Sequence, residues 1–204
     1  MFKDFRDKLS SFILNSRVFR YLLINVMPYI RLTTYYTDIR GWKYKRGYLL
    51  LQPGDIILSK DRWKLLSFFV PGGFAHAALC VAKNGDEFEV AEMTHNGYTK
   101  SAFYDICKEA DRVVILRCHD WDDDYIKCVI ERCISLMGKK YDTSFSPDID
   151  KLYCTQLVVE SDIERRLKIS SVKLPVAGKP VHTPACLYNA ENVSVIWDSD
   201  REKN

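Results

Sequence analysis

The sequence predicts an α+β fold. The apolar pattern changes between helical spacing and strand alternation along the chain. The helical and strand segments are segregated rather than strictly alternating, which disfavours a doubly wound sheet. The 204 residues are 47% hydrophobic and 28% charged, a globular balance that suits one domain with an appendage. The same balance excludes a mainly disordered chain.

Residues 1–27 read as an amphipathic helix. Phe2, Phe5, Leu9, Phe12 and Ile13 recur at helical spacing, followed by Val18, Phe19, Leu22, Leu23 and Val26, and Pro28 stops the pattern. Tyr48–Leu51 and Asp55–Ser59 are short apolar runs around the turn residues Pro53 and Gly54. Arg62–Val70 reads as helix, ended by Pro71, Gly72 and Gly73. Phe74–Ala82 and Glu87–Met93 read as strands joined at Asn84-Gly85, and Val113–Cys118 as another. Asp120 or Asp122 caps a helix with Ile126, Val129, Ile130, Cys133, Ile134 and Met137 on its apolar face and Gly138 at its end. A polar loop over 139–150 leads to a helix beginning near Tyr153 or Cys154, and Val193–Trp197 reads as a last strand.

Charge divides the chain. Residues 1–46 carry ten Lys/Arg against three Asp, or +7, whereas residues 47–204 carry twenty Lys/Arg against twenty-four Asp/Glu, or −4. Residues 1–46 are therefore expected to be a basic N-terminal helical extension and residues 47–204 the main domain. The positive excess is confined to the head and no reader motif accompanies it, so no nucleic-acid partner is expected. The seven cysteines are odd in number, irregularly spaced and without a CxxC pair. That pattern matches neither a disulfide scaffold nor a zinc site, and it points to a reducing compartment. The apolar stretch from Tyr21 to Ile30 lasts only ten residues and contains Asn25 and Pro28, against the about 20 a membrane span needs. A cytoplasmic protein, peripheral at a membrane through its head, is the expectation.

Cys154 stands at the start of a helix after a loop, where unpaired N–H groups favour a thiolate. His76 interrupts an apolar strand between Ala75 and Ala77, and Glu92 lies on the next strand among Val90, Ala91 and Met93. Each has a plain alternative: a core cysteine, a satisfied core histidine, a carboxylate paired with a lysine. Periodicity alone does not bring the three together.

Their order along the chain is more specific. Leu51-Gln52-Pro53-Gly54-Asp55-Ile56-Ile57-Leu58 comes first, then Ala75-His76-Ala77-Ala78-Leu79 and Val90-Ala91-Glu92. Gly138-Lys139-Lys140-Tyr141-Asp142, Tyr153-Cys154-Thr155-Gln156-Leu157-Val158 and Thr183-Pro184-Ala185-Cys186-Leu187-Tyr188-Asn189 follow. This ordered set resembles the circularly permuted branch of the NlpC-type papain-like cysteine hydrolases, the YiiX-like group. The resemblance implies an antiparallel, barrel-like sheet packed on helices, with the N-terminal amphipathic helix as an addition. It also implies a Cys154 nucleophile, His76 as acid and base, and Glu92 as the group that orients the imidazole. Some relatives with lipid acyltransferase activity have a second histidine in the third role, which makes His95 the alternative. Strand alternation favours Glu92, because residue 95 falls on the other face. Tyr141, Tyr153 and Gln156 are the substrate-binding candidates. Thr155-Gln156 stands where the family often has Ser-Glu, so Gln156 keeps that shape without its charge. His119 and His182 read as surface groups. No metal or other cofactor is expected.

The expected substrate is an amide of peptide type. A lipid acyl substrate is the alternative, favoured by the basic, aromatic head, which suits an anionic membrane surface through residues 1–27. A binding module that kept the fold without turnover is the third reading.

Overall fold

The computed structural model describes residues 21, 22, 26, 37–61, 73–142, 144–146, 148–173 and 180–202. Of the expected N-terminal helix, only Tyr21, Leu22 and Val26 fall among them. Tyr21 and Leu22 are helical, and Val26 N donates to Leu22 O at 3.0 Å. The helix expected over Arg62–Val70 lies outside the described residues.

The described chain runs α1 (Trp42–Leu50), β1 (Ile56–Lys60), β2 (His76–Asn84), β3 (Glu87–Thr94), β4 (Gly97–Ala102), α2 (Phe103–Glu109), β5 (Arg112–Cys118) and α3 (Asp123–Ser135). It continues through β6 (Lys140–Tyr141), β7 (Lys151–Leu152), α4 (Cys154–Ser161), β8 (Val172–Lys173), β9 (Pro180–Val181), α5 (Pro184–Tyr188) and β10 (Val193–Asp198). Six strands form one antiparallel sheet in the order β10-β5-β1-β2-β3-β4. The α+β expectation and the antiparallel sheet are what the chain adopts.

The inner strands β1, β2, β3 and β5 feed two apolar clusters, because successive side chains alternate between the sheet faces. Ile56, Leu58, Ala77, Leu79, Val81, Ala91 and Met93 face one cluster, shared with Val129 and Cys133 of α3 and with Leu157 and Val158 of α4. Ile57, Ala78, Cys80, Val90, Val113 and Ile115 face the other, with Phe103, Ile106 and Trp197. This double burial explains the continuous apolar runs of β1, β2 and β5.

Several elements depart from the sequence reading. Tyr48–Leu50 is the end of helix α1 rather than a free apolar run. A Cβ added to Gly47 would sit 2.9 Å from the Trp197 ring, so glycine lets α1 lie against β10. Residues 46 and 47, on either side of the expected start of the main domain, both lie in α1. β4 and α2 have no counterpart in the sequence reading. β4 is an edge strand carrying Thr99, Lys100 and Ser101, and α2 has seven residues, too few to display a period. The cap of α3 is Asp122, whose Oδ1 accepts from Tyr125 N at 2.9 Å. Its buried stripe is Tyr125, Val129 and Cys133. Ile134 and Met137 are exposed, since the helix ends at Ser135 and Ile134 is turned away from Cys133.

Two anchors shape the ends of the sheet. Asp55, nearly fully buried, accepts from Arg117 Nε at 2.7 Å and Nη2 at 2.8 Å, and from Gln52 N at 2.8 Å. Arg117 Nη2 also donates to Leu50 O at 3.1 Å, tying the end of α1 to β5. Gly97, at φ 90, allows the close approach of the chain after α3. A Cβ there would lie 2.5 Å from Lys139 O, the carbonyl that accepts from Tyr98 N at 2.9 Å.

Candidate active site

His76 is the first residue of β2, paired with Ser59 of β1. Glu92 of β3 stands opposite Ala78, so residues 76 and 92 are diagonal neighbours on one sheet face. Their side chains meet, with His76 Nε2 lying 2.6 Å from Glu92 Oε2. The other carboxylate oxygen, Oε1, accepts from Ser101 Oγ on β4. His95 occupies the exposed turn between β3 and β4, so Glu92 is the group on the imidazole.

Cys154 is the first residue of α4, with Tyr153 in extended conformation before it. Its sulfur lies close enough to the His76 ring and the Ala77 backbone for both to act on it. Thr155 Oγ1 lies 4.0 Å from it. Because Nε2 of His76 is engaged by Glu92, Nδ1 is the ring nitrogen left for the sulfur. Alternation gives the site a particular position. His76 and Glu92 belong to the face of Ala78, Cys80 and Val90, whereas α4 packs on the face of Ala77, Leu79 and Ala91. The three side chains therefore meet at the rim of the sheet, around the backbone of Ala77.

The electrostatics follow from these contacts. Burial raises the Cys154 thiol, but the His76 hydrogen bond and charge, with the Ala77 N–H, outweigh it and bring it below its ordinary value. Burial opposes charge on His76; its bonds to Cys154 and Glu92 prevail and push it up to about 10. Burial likewise raises Glu92, yet His76 and Ser101 hold it below the ordinary glutamate value. The arrangement favours a thiolate, an imidazolium and a carboxylate in sequence. Elsewhere burial is the main cause: it pushes Cys80, Cys107 and Cys133 up, and Cys118 up to about 11.

The other candidates have distinct settings. Tyr141 packs against the cluster that holds Cys154, and burial with the nearby Cys154 holds its phenol neutral. Tyr153 is buried, edge-on to Phe145, and its hydroxyl accepts from His182 N at 3.4 Å. Gln156 is buried, and its Nε2 donates to Ser146 O at 3.2 Å and Asp148 O at 3.4 Å. Asp142 grips the same loop from its start, accepting from the Ser144 N–H at 2.8 Å and from the Ser146 N–H. The Nε2 of Gln156 is thus committed to the loop before the nucleophile's helix, while its buried Oε1 has no hydrogen-bond partner among the described residues. A cavity of about 530 Å³ flanks α4, with Phe145, Tyr153, Gln156, Leu167, Ile169 and Val181 in its wall. His119 is exposed beside Ser194, and His182 Nδ1 lies 3.1 Å from Ser170 O. Ser101 is absent from the sequence reading. The signal for it was the turn at Asn96-Gly97, which returns a strand beside Glu92.

Among the described residues no helix is long and apolar enough to cross a membrane. No three His, Cys, Asp or Glu side chains among them are placed to hold a metal ion.

No curated protein matches the chain. A solved structure from Escherichia coli O157:H7, yiiX, described as a metalloprotein, is similar in fold. It has a TM-score of 0.55 and 20% identity over 71% of this chain and 95% of its own. The family model of the permuted papain-like amidase enzymes, YaeF/YiiX, matches residues 50–177. That match covers β1 through α4, and with it His76, Glu92 and Cys154, so the chain belongs to the C92 family of permuted papain-like amidases.

Proposed function

We propose that the chain hydrolyses an amide through a covalent intermediate on Cys154, with His76 as acid and base and Glu92 as the group that orients it. The observation that carries this reading is the His76–Glu92 pair at 2.6 Å, with Cys154 at the start of α4 close enough to act on His76. The Cys154 thiolate attacks the carbonyl carbon, and the backbone N–H of Cys154 at the start of α4 receives the oxyanion. His76 passes a proton to the leaving nitrogen as the C–N bond breaks, leaving a thioester and a free amine. His76 then takes a proton from water, the hydroxide adds to the thioester, and the C–S bond breaks to release the acid and restore the thiolate. Glu92 stays ionised throughout and stabilises the imidazolium.

The test uses a panel of peptide amides and N-acyl amines, with products identified by mass spectrometry. Hydrolysis is expected for wild type and lost in Cys154→Ala and His76→Ala. A hydroxylamine-sensitive acyl adduct is expected on Cys154. Turnover that survives Cys154→Ala overturns the reading.

A second reading places the substrate at a membrane, as a lipid acyl amide or ester. Trp42, Lys45, Arg46 and Leu49 recur at helical spacing on the exposed side of α1, and Tyr104 of α2 is exposed nearby. Aromatic, apolar and basic groups on one face suit an anionic bilayer surface. Flotation of the full chain with phosphatidylserine vesicles is expected, and its reduction by Trp42→Glu with Leu49→Glu. No flotation at low salt removes this reading.

A further inference from the structure

Resting on the proposed roles of His76 and Glu92, we propose that Ser101 is a positioning residue, whose hydroxyl fixes the Glu92 carboxylate in the orientation that receives His76. The carboxylate makes two contacts in different directions: Oε2 meets His76 Nε2 at 2.6 Å and Oε1 accepts from Ser101 Oγ. A glutamate has three side-chain torsions, and one hydrogen bond leaves it free to pivot about that contact. The second bond, from a different strand, removes this freedom.

The register explains why Ser101 has this position. Thr99 is directly opposite Glu92 and Ser101 is opposite Val90, so both hydroxyl residues share the face of Glu92. Thr99 is engaged elsewhere: its Oγ1 lies 2.9 Å from Thr94 Oγ1 and donates to Gly97 O at 3.2 Å. Ser101 is the diagonal neighbour, and its hydroxyl reaches the oxygen that His76 leaves.

The surroundings give the bond a second effect. Asp105, at the start of α2, acts on Glu92 as a like charge. Its carboxylate is held near by Ala102 N at 3.3 Å. Across the carboxylate, on β2, stands His76, with Cys154 of α4 acting through it. Tyr141 of β6 is kept neutral by burial. Lys100, beside Ser101, pairs at 2.7 Å with Glu89, and alternation assigns both to the opposite sheet face. Ser101 is therefore the hydrogen-bond donor on the side of Glu92 away from His76, and it favours the ionised form against both burial and Asp105.

The experiment is an NMR titration of the four histidine rings in ¹³C-labelled protein, assigned with His76→Ala. It compares wild type, Ser101→Ala and Ser101→Thr. The His76 transition is expected to fall by about one pH unit in Ser101→Ala, the scale of one charged hydrogen bond. In Ser101→Thr it should stay within a few tenths of a unit of wild type, again on that scale. The alkaline limb of the amide hydrolysis profile should move with it, lowering kcat above neutral pH while KM holds. If Ser101→Ala does not fold, Ser101→Val replaces it, since Val matches Thr in shape and lacks only the hydroxyl. An unchanged or raised His76 transition in the hydroxyl-free variant overturns the proposal, as does an equal fall in Ser101→Thr. The titration needs no turnover, so an inactive wild type with the expected shift counts against the hydrolase mechanism alone.

Discussion

Glu92 and His76 meet at 2.6 Å although sixteen residues separate them, because the β2–β3 hairpin places Glu92 opposite Ala78, two residues beyond His76. A hairpin register, rather than a loop, sets the relation between imidazole and carboxylate. A strand pair is hard to displace by one residue without turning every side chain over.

The first consequence is selective reactivity. Cys154 should be alkylated by iodoacetamide at pH 6, where an ordinary thiol with pKa about 8.5 is largely protonated. Cys128 is the exposed cysteine, so its labelling is the internal comparison for access. Cys80, Cys107, Cys118 and Cys133 are buried, and their raised thiols should remain unlabelled. Peptide mapping of wild type and His76→Ala reads the outcome. The histidine variant should lose acid-side labelling of Cys154, and first labelling at any other cysteine contradicts the site.

Stability should depend on pH through the same pair. Glu92 is lowered in the folded protein, so its contribution is present above the unfolded value of about 4.3 and lost as pH falls through the folded value. His76 is raised to about 10, so its contribution is full below the unfolded value and lost as pH rises from there through about 10. The stability difference between wild type and Glu92→Gln should therefore peak between about pH 4.3 and pH 6.5, the two unfolded values. Urea unfolding across that range measures it. A flat difference would show that the pair does not couple to folding.

Asp55→Asn should destabilise the fold by about 2 kcal/mol, because it weakens the charged hydrogen bonds that the buried carboxylate accepts from the part-exposed Arg117. Thermal unfolding of the variant checks this. Burial raises Asp55 in spite of Arg117, so the folded chain holds that proton more tightly than the unfolded one, and wild-type stability should fall as the pH climbs from the unfolded carboxyl value through the folded one.

Gly97→Ala should cost roughly 2 kcal/mol, the scale of overpacking, since its Cβ would collide with Lys139 O at 2.5 Å. The same substitution should push the Lys139–Tyr141 segment away from β4 and reduce hydrolysis along with stability. Activity per folded molecule, measured beside a thermal melt, separates the two effects.

The parts of the site legible in the sequence were those with a local cause. Cys154 was marked by the loop-to-helix transition, and His76 and Glu92 by being polar within strands that are otherwise apolar. Ser101 was not legible because an edge strand with Thr, Lys and Ser shows no alternation of apolar residues. Its role exists only once the hairpin at Gly97 sets the register. Gln156 shows the opposite difficulty. Its place two residues after Cys154 is read at once, but only the fold shows its Nε2 donating to the backbone carbonyls of Ser146 and Asp148, ten and eight residues earlier. Helix α1 shows no clear period in the sequence because Gly47 interrupts it, and only the Trp197 ring from the far end of the chain explains that glycine.

The meeting of Cys154 with His76 at the sheet rim links the activity to a mechanical coordinate. The sulfur travels with α4 and one apolar cluster, while the imidazole and carboxylate belong to the face that holds the other. A small slide of α4 along β2 would part nucleophile from base while every strand stayed paired. The enzyme should then fall silent at a lower urea concentration than the one that melts its sheet, and recover at once on dilution.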